Sequence, residues 1–456
     1  MNVPVNLQIF REYDIRGVVD QDFPPLVVES LGQAIGTYLL SKGKQRITLG
    51  RDVRLSSDQL SSDLSRGLIK AGLHIVDIGV CPTPVLYFSI RHLGAEGGVM
   101  ITGSHNPPEF NGFKVCVGPD TIYGEEIQEI GKIMEASRYS EKEGSLESAS
   151  IIPAYHEYVR SNIRLAAPIK VVIDAGNGTA GLVAPALFRA LGCEVIPLYC
   201  DPDGNFPNHH PDPTIPENLE DLRRRVLEEK APLGVAFDGD GDRIGILDDK
   251  GQILWGDRIM VLFSRAVLRE HPGAAIISEV KSSNILYNDI AKHGGRPIMW
   301  KTGHSLIKNK MKEEHALLAG EMSGHIFFAD RYFGYDDAIY AACRMFEILT
   351  KENKPLSELL VDLPQTCATP EIRVECPDDV KFKIVEEAAK YFRTLYDVID
   401  VDGVRVVFPD GWGLVRASNT QPVIVMRFEA DTPERVREIQ HLIEEKLCFI
   451  RTSMKD

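Results

Sequence analysis

The chain has 456 residues and a mass of 50.7 kDa, enough for about three domains. Hydrophobic residues make up 44% and charged residues 26%, which is typical of a globular protein with a large buried core. The 51 basic and 66 acidic residues leave a formal charge of −15. This balance argues against a general nucleic-acid binder and against a protein that adheres to anionic membranes.

The sequence shows no apolar stretch long enough to span a bilayer. Its N-terminus has no basic segment followed by an apolar one, so we expect neither membrane insertion nor a signal peptide. Eight cysteines lie far apart, with no C-x-x-C pair. In a chain of this length they favour separate, reduced thiols over a zinc site or a disulfide framework, and hence a cytoplasmic protein.

Roughly the first three hundred residues alternate short β-branched runs with amphipathic stretches, in three rounds. The predicted strands are 47–49, 74–78, 98–101, 169–174, 193–199, 233–237, 275–280, 297–301 and 316–319. The predicted helices are 57–71, 83–93, 179–191, 217–231, 256–270, 282–293 and 304–314. Strands that alternate with helices of this length predict α/β units with mainly parallel sheets, and the three rounds predict three similar domains.

From Glu371 onward the pattern changes to a smaller α+β unit. Its predicted strands start at 371, lie around 397–415 and at 423–429, and its predicted helices are 380–396 and 433–448. Polar or Pro-containing stretches at 137–150, 248–251 and 364–370 are candidate seams between domains. We therefore expect domains at 1–150, 151–250, 251–368 and 369–456.

The strongest chemical signal is DGDGDR at 238–243, directly after an apolar run. Asp238, Asp240 and Asp242 place three carboxylates close together on a glycine-spaced turn, which suits a hard cation such as Mg²⁺. A solvated acidic turn is the plain alternative, but three carboxylates this close repel one another unless a cation offsets them. An EF-hand fits less well, because its sixth position, normally Gly, is Arg243 and its twelfth, normally Glu, is Asp249.

The second signal is TGSHNPP at 102–108, which follows the predicted strand 98–101. It places the hydroxyl of Ser104 at the carboxyl end of a strand, where open α/β sheets bind their ligands. The same residue types also form ordinary turns. A serine hydrolase is not indicated, because the chain has no G-x-S-x-G elbow and His105 is poorly placed as a base for its neighbour.

A third pattern, Gly176-x-Gly178-x-x-Gly181, follows a predicted strand and has Asp201 twenty residues further on. Taken alone, it matches the dinucleotide-binding fingerprint of an oxidoreductase. The alternative is that these glycines only turn a strand into a helix.

Two further loops carry groups that suit a phosphorylated, hydroxylated ligand. The sequence GEMSGH at 320–325 offers a carboxylate, a hydroxyl and an imidazole, and RASNT at 416–420 offers a guanidinium, two hydroxyls and an amide. Each is weak alone. His304 and the cations Arg16, Lys114 and Lys281 are weaker candidates still.

With TGSHNP, DGDGDR, GEMSGH and RASNTQP in this order, the chain resembles the α-D-phosphohexomutases. It is most similar to the bacterial phosphomannomutase/phosphoglucomutase branch, from FREYDIRG at 10–17 to RFEAD at 427–431. The resemblance implies α/β architecture: three similar mixed α/β domains plus a C-terminal α+β, TATA-binding-protein-like domain around a central cleft. It also assigns the glycines of 176–178 to the second domain, which removes the dinucleotide interpretation.

The resemblance implies an activity and its cofactors. The enzyme would interconvert hexose 1-phosphate and hexose 6-phosphate, of mannose or glucose or both, through a phosphoserine and a 1,6-bisphosphate intermediate. It would need Mg²⁺, with glucose 1,6-bisphosphate or mannose 1,6-bisphosphate as activator. Its partners would be sugar phosphates, without nucleic acid or membrane.

By the same resemblance Ser104 carries the phosphoryl group, and Asp238, Asp240 and Asp242 hold Mg²⁺ together with an oxygen of the phosphoserine. The other residues implied at the transfer centre are Arg16, Lys114, Arg243 and His304. Those implied in substrate binding are Tyr13, Lys281, Glu321, Ser323, His325, Arg416, Ser418, Asn419, Thr420 and Arg427. The base could be Lys114, His304 or His325.

Three rival functions remain open at this stage. A phosphoglucosamine mutase is the nearest, although its loops usually read GEQSGH and R-x-SGTEP. A non-catalytic sugar-phosphate-binding relative should have lost Ser104 or one of the three aspartates, and this chain keeps all four. A Mg²⁺-dependent phosphatase could use the same groups. The sequence does not rank glucose against mannose, because no motif visibly targets the C2 hydroxyl.

Overall fold

The computed structural model describes residues 5–419 and 421–453, which form four separate sheets. The predicted substrate-binding residue Thr420 lies outside the described residues. Three of the sheets mix parallel and antiparallel strands, and the fourth is antiparallel. The domain bounds predicted above stay a prediction, although each predicted domain contains one of the four sheets.

The first sheet has parallel strands that continue to one of its edges and antiparallel strands on its other side. Its strands are β1 (Ile15–Val18), β2 (Arg46–Arg51), β3 (His74–Val80), β4 (Gly97–Ile101), β5 (Phe110–Val117), β6 (Asp120–Thr121) and β7 (Ser145–Ser148). The strand order is β1-β5-β4-β2-β3-β7, and β6 pairs with β5. The helices are α1 (Val19–Asp22), α2 (Pro25–Ser41), α3 (Ser57–Ala71), α4 (Thr83–His92) and α5 (Glu125–Ala136).

The second sheet repeats this plan on a smaller scale. Its strands are β8 (Lys170–Asp174), β9 (Glu194–Leu198), β10 (Leu233–Phe237), β11 (Ile244–Asp248) and β12 (Ile253–Leu254), in the order β12-β11-β10-β8-β9. Its helices are α6 (Ile152–Asn162), α7 (Ala184–Ala190) and α8 (Glu220–Glu229). The predicted helix 179–191 is wrong in its first turn: Thr179–Leu182 is a 3-10 turn, and α7 starts afresh with Pro185 in its first turn.

The third sheet has the order β14-β13-β15-β16. Its strands are β13 (Ala275–Glu279), β14 (Arg296–Trp300), β15 (Leu318–Gly320) and β16 (Ile326–Phe328). Its helices are α9 (Gly256–Glu270), α10 (Asn284–Lys292), α11 (His304–Glu314) and α12 (Ala338–Glu352). Helix α10 begins at Asn284 because the Ser283 hydroxyl accepts a hydrogen bond from the backbone N–H of Ile285.

The fourth sheet carries two helices, α13 (Asp378–Arg393) and α14 (Pro433–Ser453). Its strands are β17 (Cys367–Ala368), β18 (Ile372–Glu375), β19 (Asp397–Ile399), β20 (Val404–Phe408), β21 (Gly411–Ala417) and β22 (Val423–Ala430). The order is β17-β22-β21-β20-β19, and β18 also pairs with β22. This agrees with the predicted α+β unit.

Each of the four signature loops connects two antiparallel, adjacent strands. The loop with Ser104 joins β4 to β5, DGDGDR joins β10 to β11, GEMSGH joins β15 to β16, and the loop after Arg416 joins β21 to β22. The expectation of mainly parallel sheets missed these antiparallel partners, because a glycine-rich loop that ends a buried strand does not reveal the direction of the next one. Each signature loop is therefore the connection of a β-hairpin.

The buried core shows which domains are joined firmly. One apolar cluster continues from α4 through the second domain to α12, and includes Phe88, Tyr155, Phe188 and Phe346. The fourth domain has its own core and meets the third through a small cluster of Val280, Trp412 and Leu414. The fourth domain is thus the one with the smallest apolar attachment. No helix within the described residues is long and apolar enough to cross a bilayer.

Candidate active site

The loop after β4 holds Ser104 in a strained backbone conformation, at the carboxyl end of this interior strand. Ser104 is buried and has φ +48°, in the left-handed region that non-glycine residues rarely adopt and that costs about 1–3 kcal/mol. Its backbone N–H donates to Oγ1 of Thr102 at 2.8 Å. Its hydroxyl donates to Oδ2 of Asp238 at 2.9 Å and lies 3.1 Å from Nδ1 of His105. This strained residue is thus the one whose hydroxyl contacts residues 238–243, the acidic loop.

The acidic loop approaches Ser104 closely because of its glycines. A Cβ at Gly239 would lie 2.5 Å from the carbonyl oxygen of Ser104, so a side chain there would push the two loops apart. Gly241 has φ +73°, which glycine adopts without strain. The two glycines therefore have different roles: one allows contact with the first domain and the other makes the turn.

The glycine pattern at 176–181 supports this acidic loop. A Cβ at Gly178 would lie 2.7 Å from the carbonyl oxygen of Gly239. That carbonyl accepts hydrogen bonds from the backbone N–H of Thr179 at 3.0 Å and from its hydroxyl at 3.2 Å. The pattern that imitates a dinucleotide fingerprint is thus a structural support for the acidic loop.

The three aspartates of the acidic loop are fully buried and offer oxygens within 4.8 Å of one another. Nζ of Lys114 donates to Oδ2 of Asp240 at 2.9 Å and to Oδ2 of Asp242 at 2.5 Å. The hydroxyl of Thr83 donates to Oδ2 of Asp240 at 2.6 Å. Oδ1 of Asp240 has no hydrogen-bond partner among the described residues. A buried carboxylate oxygen without a partner, beside two further carboxylates, fits a divalent cation.

Charge in this cluster is tightly balanced. Burial, and then Asp242 and Asp240, raise the pKa of Asp238 well above its usual range. Burial also pushes the pKa of Asp242 up, but Lys114 and His325 outweigh burial and hold it well below its usual range. Burial lowers the pKa of Lys114, but Asp240 and Asp242 outweigh burial and raise it well above its usual range. A cation that binds these aspartates would therefore compete with the protons held in the cluster.

The third domain contributes a histidine-carboxylate cluster to the same place. Nδ1 of His325 lies 2.8 Å from Oε2 of Glu321 and 3.0 Å from the hydroxyl of Ser323, and its Nε2 lies 3.3 Å from Oδ1 of Asp242. Burial lowers the pKa of His325, but Asp242 and Glu321 raise it to about 10. Nε of Arg243 lies 3.3 Å from Nε2 of His325. The second and third domains therefore meet through these side chains.

His304 is the first residue of α11 and lies beside the same cluster, with its ring 5.7 Å from that of His325. Burial, together with Lys308 and Lys114, lowers the pKa of His304 well below its usual range. Oε1 of Glu321 accepts a hydrogen bond of 2.7 Å from the backbone N–H of Gly303, which fixes the turn that carries His304.

Arg16 reaches the serine loop from β1. Its Nη1 donates to Oδ1 of Asn106 at 3.1 Å, and its Nη2 pairs with Asp14. Arg16 is therefore one strand away from Lys114, because β1 pairs with β5, the strand that carries Lys114.

The fourth domain reaches the first and third domains through its β21–β22 loop. Nδ2 of Asn419 donates to the hydroxyl of Tyr13 at 2.7 Å, and that hydroxyl donates to the carbonyl oxygen of Thr302 at 2.9 Å. Nε of Arg416 donates to Oδ2 of Asp402 at 2.9 Å. The hydroxyl of Ser418 accepts from the backbone N–H of Gln421 and shapes the loop.

Lys281 and Arg427 lie at the boundary between the third and fourth domains. Nζ of Lys281 lies 3.0 Å from Oε2 of Glu371 and 3.5 Å from Oε2 of Glu279. Burial lowers the pKa of Lys281, and these two carboxylates raise it further than burial lowers it. Arg427 donates to the carbonyl oxygen of Lys281 and lies 3.7 Å from Asp257.

Three further residues orient the site and were not predicted from the sequence. Thr83 holds Asp240 from the first domain, Glu279 accepts from the Thr302 hydroxyl and from the backbone N–H of Met322 at 2.8 Å, and Asp402 holds Arg416. Thr83 and Glu279 stand at or just after the carboxyl ends of β3 and β13, so the rule that singled out Ser104 could have found both. Asp402 carries no such signal.

Three mixed α/β domains and an antiparallel fourth domain each contribute one hairpin loop to a single cleft, which combines a hydroxyl, buried carboxylates and several cations. This architecture defines an α-D-phosphohexomutase, the class that the sequence motifs predicted.

Comparison with known proteins agrees domain by domain. The phosphoglucomutase/phosphomannomutase family models match residues 7–141 (alpha/beta/alpha domain I), 153–251 (domain II), 255–367 (domain III) and 371–446 (C-terminal domain). The phosphomannomutase/phosphoglucomutase of Pseudomonas aeruginosa is 48% identical over 447 residues, covering 98% of this chain and 96% of its own. A phosphoglucomutase of Neisseria gonorrhoeae is 47% identical over 442 residues, covering 96% of each chain.

A solved structure is also similar over the whole length. The crystal structure of a phosphoglucomutase/phosphomannomutase family protein from Burkholderia thailandensis has a TM-score of 0.93 and 42% identity, and the match covers 98% of each chain. The chain therefore belongs to the phosphoglucomutase/phosphomannomutase family, and its activity is that of a phosphohexomutase.

Proposed function

We propose that the chain interconverts the 1-phosphates and 6-phosphates of both glucose and mannose, with Ser104 as the phosphoryl carrier. The observation that carries this proposal is the 2.9 Å hydrogen bond from the Ser104 hydroxyl to Asp238, beside two more buried carboxylates and Lys114. Phosphoryl transfer suits such a site, because positioning and charge stabilisation supply most of its catalysis.

Mg²⁺ is the cation that we propose for the acidic loop. Asp238, Asp240 and Asp242 supply only oxygen ligands, which a hard cation prefers, and the phosphoryl group on Ser104 would supply another. When bound, the cation offsets negative charge on the phosphoryl group. Glucose 1,6-bisphosphate or mannose 1,6-bisphosphate would act as activator by phosphorylating any Ser104 that has lost its phosphoryl group.

The reaction has two symmetric halves. First, the phosphoryl group leaves Oγ of Ser104, which takes up a proton, and bonds to the free hydroxyl oxygen of a hexose monophosphate, whose proton passes to a base. After the 1,6-bisphosphate has turned around, Oγ of Ser104 gives up its proton and takes the other phosphoryl group, and the remaining sugar oxygen gains a proton. We propose Arg16, Lys114 and Arg243 as the charges beside the moving group. The candidate bases are Lys114, His304 and His325; the lowered pKa of His304 suits a base near neutral pH, whereas the raised pKa values of Lys114 and His325 keep these two protonated.

A ligand that turns around needs a symmetric grip. We propose that Glu321 and Ser323 bind ring hydroxyls, because both lie on the hairpin loop that faces Asp242 through His325. The idle phosphate would be bound by the fourth domain, with Tyr13 and Lys281 at its edge. The proposed phosphate ligands are Arg416, Ser418, Asn419, Thr420 and Arg427.

The two sugars differ only at C2, and none of the contacts proposed above is assigned to the C2 hydroxyl. The 48% identity to a phosphomannomutase/phosphoglucomutase over nearly the whole chain supports activity on both. We also propose a cytoplasmic location, which the eight free cysteines favour.

A coupled assay on glucose 1-phosphate, mannose 1-phosphate and glucosamine 1-phosphate, with catalytic bisphosphate added, tests this proposal. We expect turnover of the first two with kcat/KM values within about 100-fold of each other. Net release of inorganic phosphate would instead indicate a phosphatase, and preferential turnover of the glucosamine ester would correct the substrate.

A further inference from the structure

The loop that carries Ser104 is closed around one buried guanidinium. Nη2 of Arg54 donates to the carbonyl oxygens of Ser104 at 2.9 Å and Asn106 at 2.5 Å, and Nη1 donates to those of Pro107 at 2.6 Å and Phe110 at 3.0 Å. The Arg54 side chain has no exposed surface. An arginine offers five N–H donors in a rigid plane, and four of them are used on this one loop.

The fifth donor faces a carboxylate without a well-aligned hydrogen bond. Nε of Arg54 lies 3.2 Å from Oδ2 of Asp52, in ion-pair range, and the same oxygen accepts a 3.0 Å hydrogen bond from the backbone N–H of Gly103. A Cβ at Gly103 would lie 2.4 Å from Arg54 Nε, so the glycine of the TGSHNP motif makes room for the guanidinium. The pair of Asp52 and Arg54 thus binds N–H and carbonyl groups of the same loop.

The second domain closes this arrangement from outside. The ring of Phe206 lies 5.3 Å from the guanidinium carbon of Arg54. A Cβ at Gly204 would lie 2.4 Å from the carbonyl oxygen of Val53, so the chain around 204–206 packs directly on the residues beside Arg54. Burial lowers the pKa of Arg54, and the Asp52 carboxylate opposes that shift.

We infer that Arg54 is a positioning residue for phosphoryl transfer: it holds the Ser104 loop in the conformation that accepts and releases the phosphoryl group. This inference rests on the proposed role of Ser104. Arg54 makes no hydrogen bond or ion pair with the hydroxyl of Ser104 or with the three aspartates, so it acts on the site through the loop backbone and through its charge, which also interacts with Asp240.

The physical reason is the direction of the loop carbonyls. Each carbonyl oxygen bears partial negative charge and would repel a phosphoryl dianion that it faced. Arg54 directs the carbonyls of residues 104, 106, 107 and 110 toward itself and adds a positive charge beneath the loop. Charge-assisted hydrogen bonds of this kind are stronger than neutral ones, so they can hold the left-handed conformation of Ser104 against its strain.

The test compares Arg54→Ala and Arg54→Lys with Arg51→Ala as the matched control. Arg51 is three residues away, is mostly buried and pairs with Asp58 and Asp77, but donates nothing to the Ser104 loop. With saturating Mg²⁺ and bisphosphate we expect Arg54→Ala to lose about 100-fold in kcat, the scale of an ångström-sized misplacement. KM should stay near that of the native enzyme, since Arg54 is not expected to contact substrate.

Chemical rescue separates positioning from mere folding. Guanidinium chloride at concentrations too low to unfold the protein should fill the space in Arg54→Ala and restore part of the lost kcat. Urea, which has a similar shape but no charge, and NaCl at equal ionic strength should restore little. Equal rescue by urea would overturn the role of charge, and native kcat in Arg54→Ala would overturn the inference.

Arg54→Lys keeps the test decisive if Arg54→Ala does not fold. One ammonium cannot reach four carbonyls, so folded Arg54→Lys, checked by circular dichroism, should still have reduced kcat and near-native KM. Native kcat in Arg54→Lys would contradict us. If Ser104→Ala is fully active, the proposed function fails; if Ser104→Ala is inactive and Arg54→Ala is native-like, only the inference about Arg54 fails.

Discussion

Oγ of Ser104 lies 2.9 Å from Oδ2 of Asp238, although 134 positions separate the two residues and they belong to different domains. The contact depends on Gly239, whose missing side chain lets the acidic loop approach the Ser104 carbonyl. The centre of the site is therefore an interface between the first and second domains. Changes on either side of this interface should affect catalysis more than their local chemistry suggests.

Replacing Ser104 with alanine should remove both the phosphoryl carrier and turnover. Intact-mass analysis of the purified native protein should find a fraction one phosphoryl group heavier, and peptide mapping should locate it at Ser104. Ser104→Ala should lack that mass and nearly all mutase activity. The control is Ser62→Ala, on the exposed face of α3, which should keep both. A phosphoryl group on another serine, with Ser104→Ala fully active, would refute the assignment.

Asp240→Asn should weaken metal affinity and turnover together. Asp240 is fully buried, receives hydrogen bonds from Lys114 and Thr83, and has one oxygen free of such bonds among the described residues. Removing its charge at nearly constant size should weaken Mg²⁺ affinity by at least about tenfold, measured from the Mg²⁺ dependence of kcat. Glu270→Gln, at an exposed glutamate near His271 and Asp330, is the control and should leave that dependence unchanged. If the native enzyme keeps full activity in excess chelator, catalysis does not need a bound cation, and the acidic loop has only a structural role.

Cation binding should release protons, and its affinity should rise with pH. The pKa of Asp238 is raised well above its usual range by burial and by its two neighbours, so it keeps a proton to higher pH than a normal carboxyl. A bound cation favours the ionised form and expels that proton. Asp240 and Asp242 raise the pKa of Lys114, and Asp242 helps to raise that of His325 to about 10. A bound cation would pair with the same aspartates, so it would lower the pKa of both groups and favour the release of their protons.

Calorimetric titration with MgCl₂ in two buffers of different ionisation enthalpy measures this release. The apparent binding enthalpies should differ by an amount that corresponds to a positive number of released protons. Affinity should fall as the pH is lowered. Identical enthalpies in the two buffers would show that the cation binds groups that are already ionised.

The sequence was sufficient to predict the chemistry at strand ends but not the groups that orient it. Ser104 and the acidic loop each follow a buried strand, where α/β sheets place their ligand-binding groups, so each could be singled out. Their proximity could not be derived from the strands, because β4 and β10 belong to different sheets. The antiparallel strands β5, β11 and β16 were missed because short buried runs after a glycine-rich loop look alike in either direction.

Asp402 and Arg54 show why the remainder could not be predicted. Asp402 stands in a loop between β19 and β20 that resembles any polar turn. It accepts from Arg416 of its own domain, and it accepts from the backbone N–H of Thr302 only because the third and fourth domains dock. Arg54 follows β2 in the sequence GRDVR, which marks it as a strand-end residue, but its four carbonyl acceptors belong to backbone that has no sequence signature. Backbone acceptors and domain docking are set by the tertiary structure.

Gly239→Ala should reduce activity without unfolding the protein. The new Cβ would lie 2.5 Å from the Ser104 carbonyl oxygen, so the acidic loop must move away from Ser104. We expect about a 100-fold loss of kcat from this displacement, with weaker Mg²⁺ binding and a melting temperature close to native. Gly273→Ala is the control: its Cβ meets no atom within 4 Å, its φ of +83° costs stability, and its kcat should be unchanged. Native kcat in Gly239→Ala would show that the interface tolerates separation.

The fourth domain should act as a phosphate clamp, and Arg416→Ala should raise KM and lower kcat together. Oδ2 of Asp402 accepts hydrogen bonds from Arg416 Nε at 2.9 Å and from Thr302 N–H at 3.1 Å, two residues before His304. A phosphate bound by Arg416 is thus coupled to the turn that carries His304. Binding energy at the idle phosphate would be used to position the reacting end, which is the condition for kcat to fall as well.

Asp402→Ala separates the clamp from the coupling. It leaves the Arg416 charge in place but removes the carboxylate that holds it, so we expect kcat to fall more than KM rises, while Asp402→Asn, which keeps an acceptor, should be milder. Arg393→Ala is the control, because Arg393 also pairs with an aspartate of the fourth domain but is exposed. Hydrogen exchange should show protection of residues 416–419 when glucose 1-phosphate is added, since the fourth domain has only a small apolar attachment to the third. If Arg416→Ala keeps native kinetic constants, or substrate leaves this exchange unchanged, the fourth domain is not a clamp.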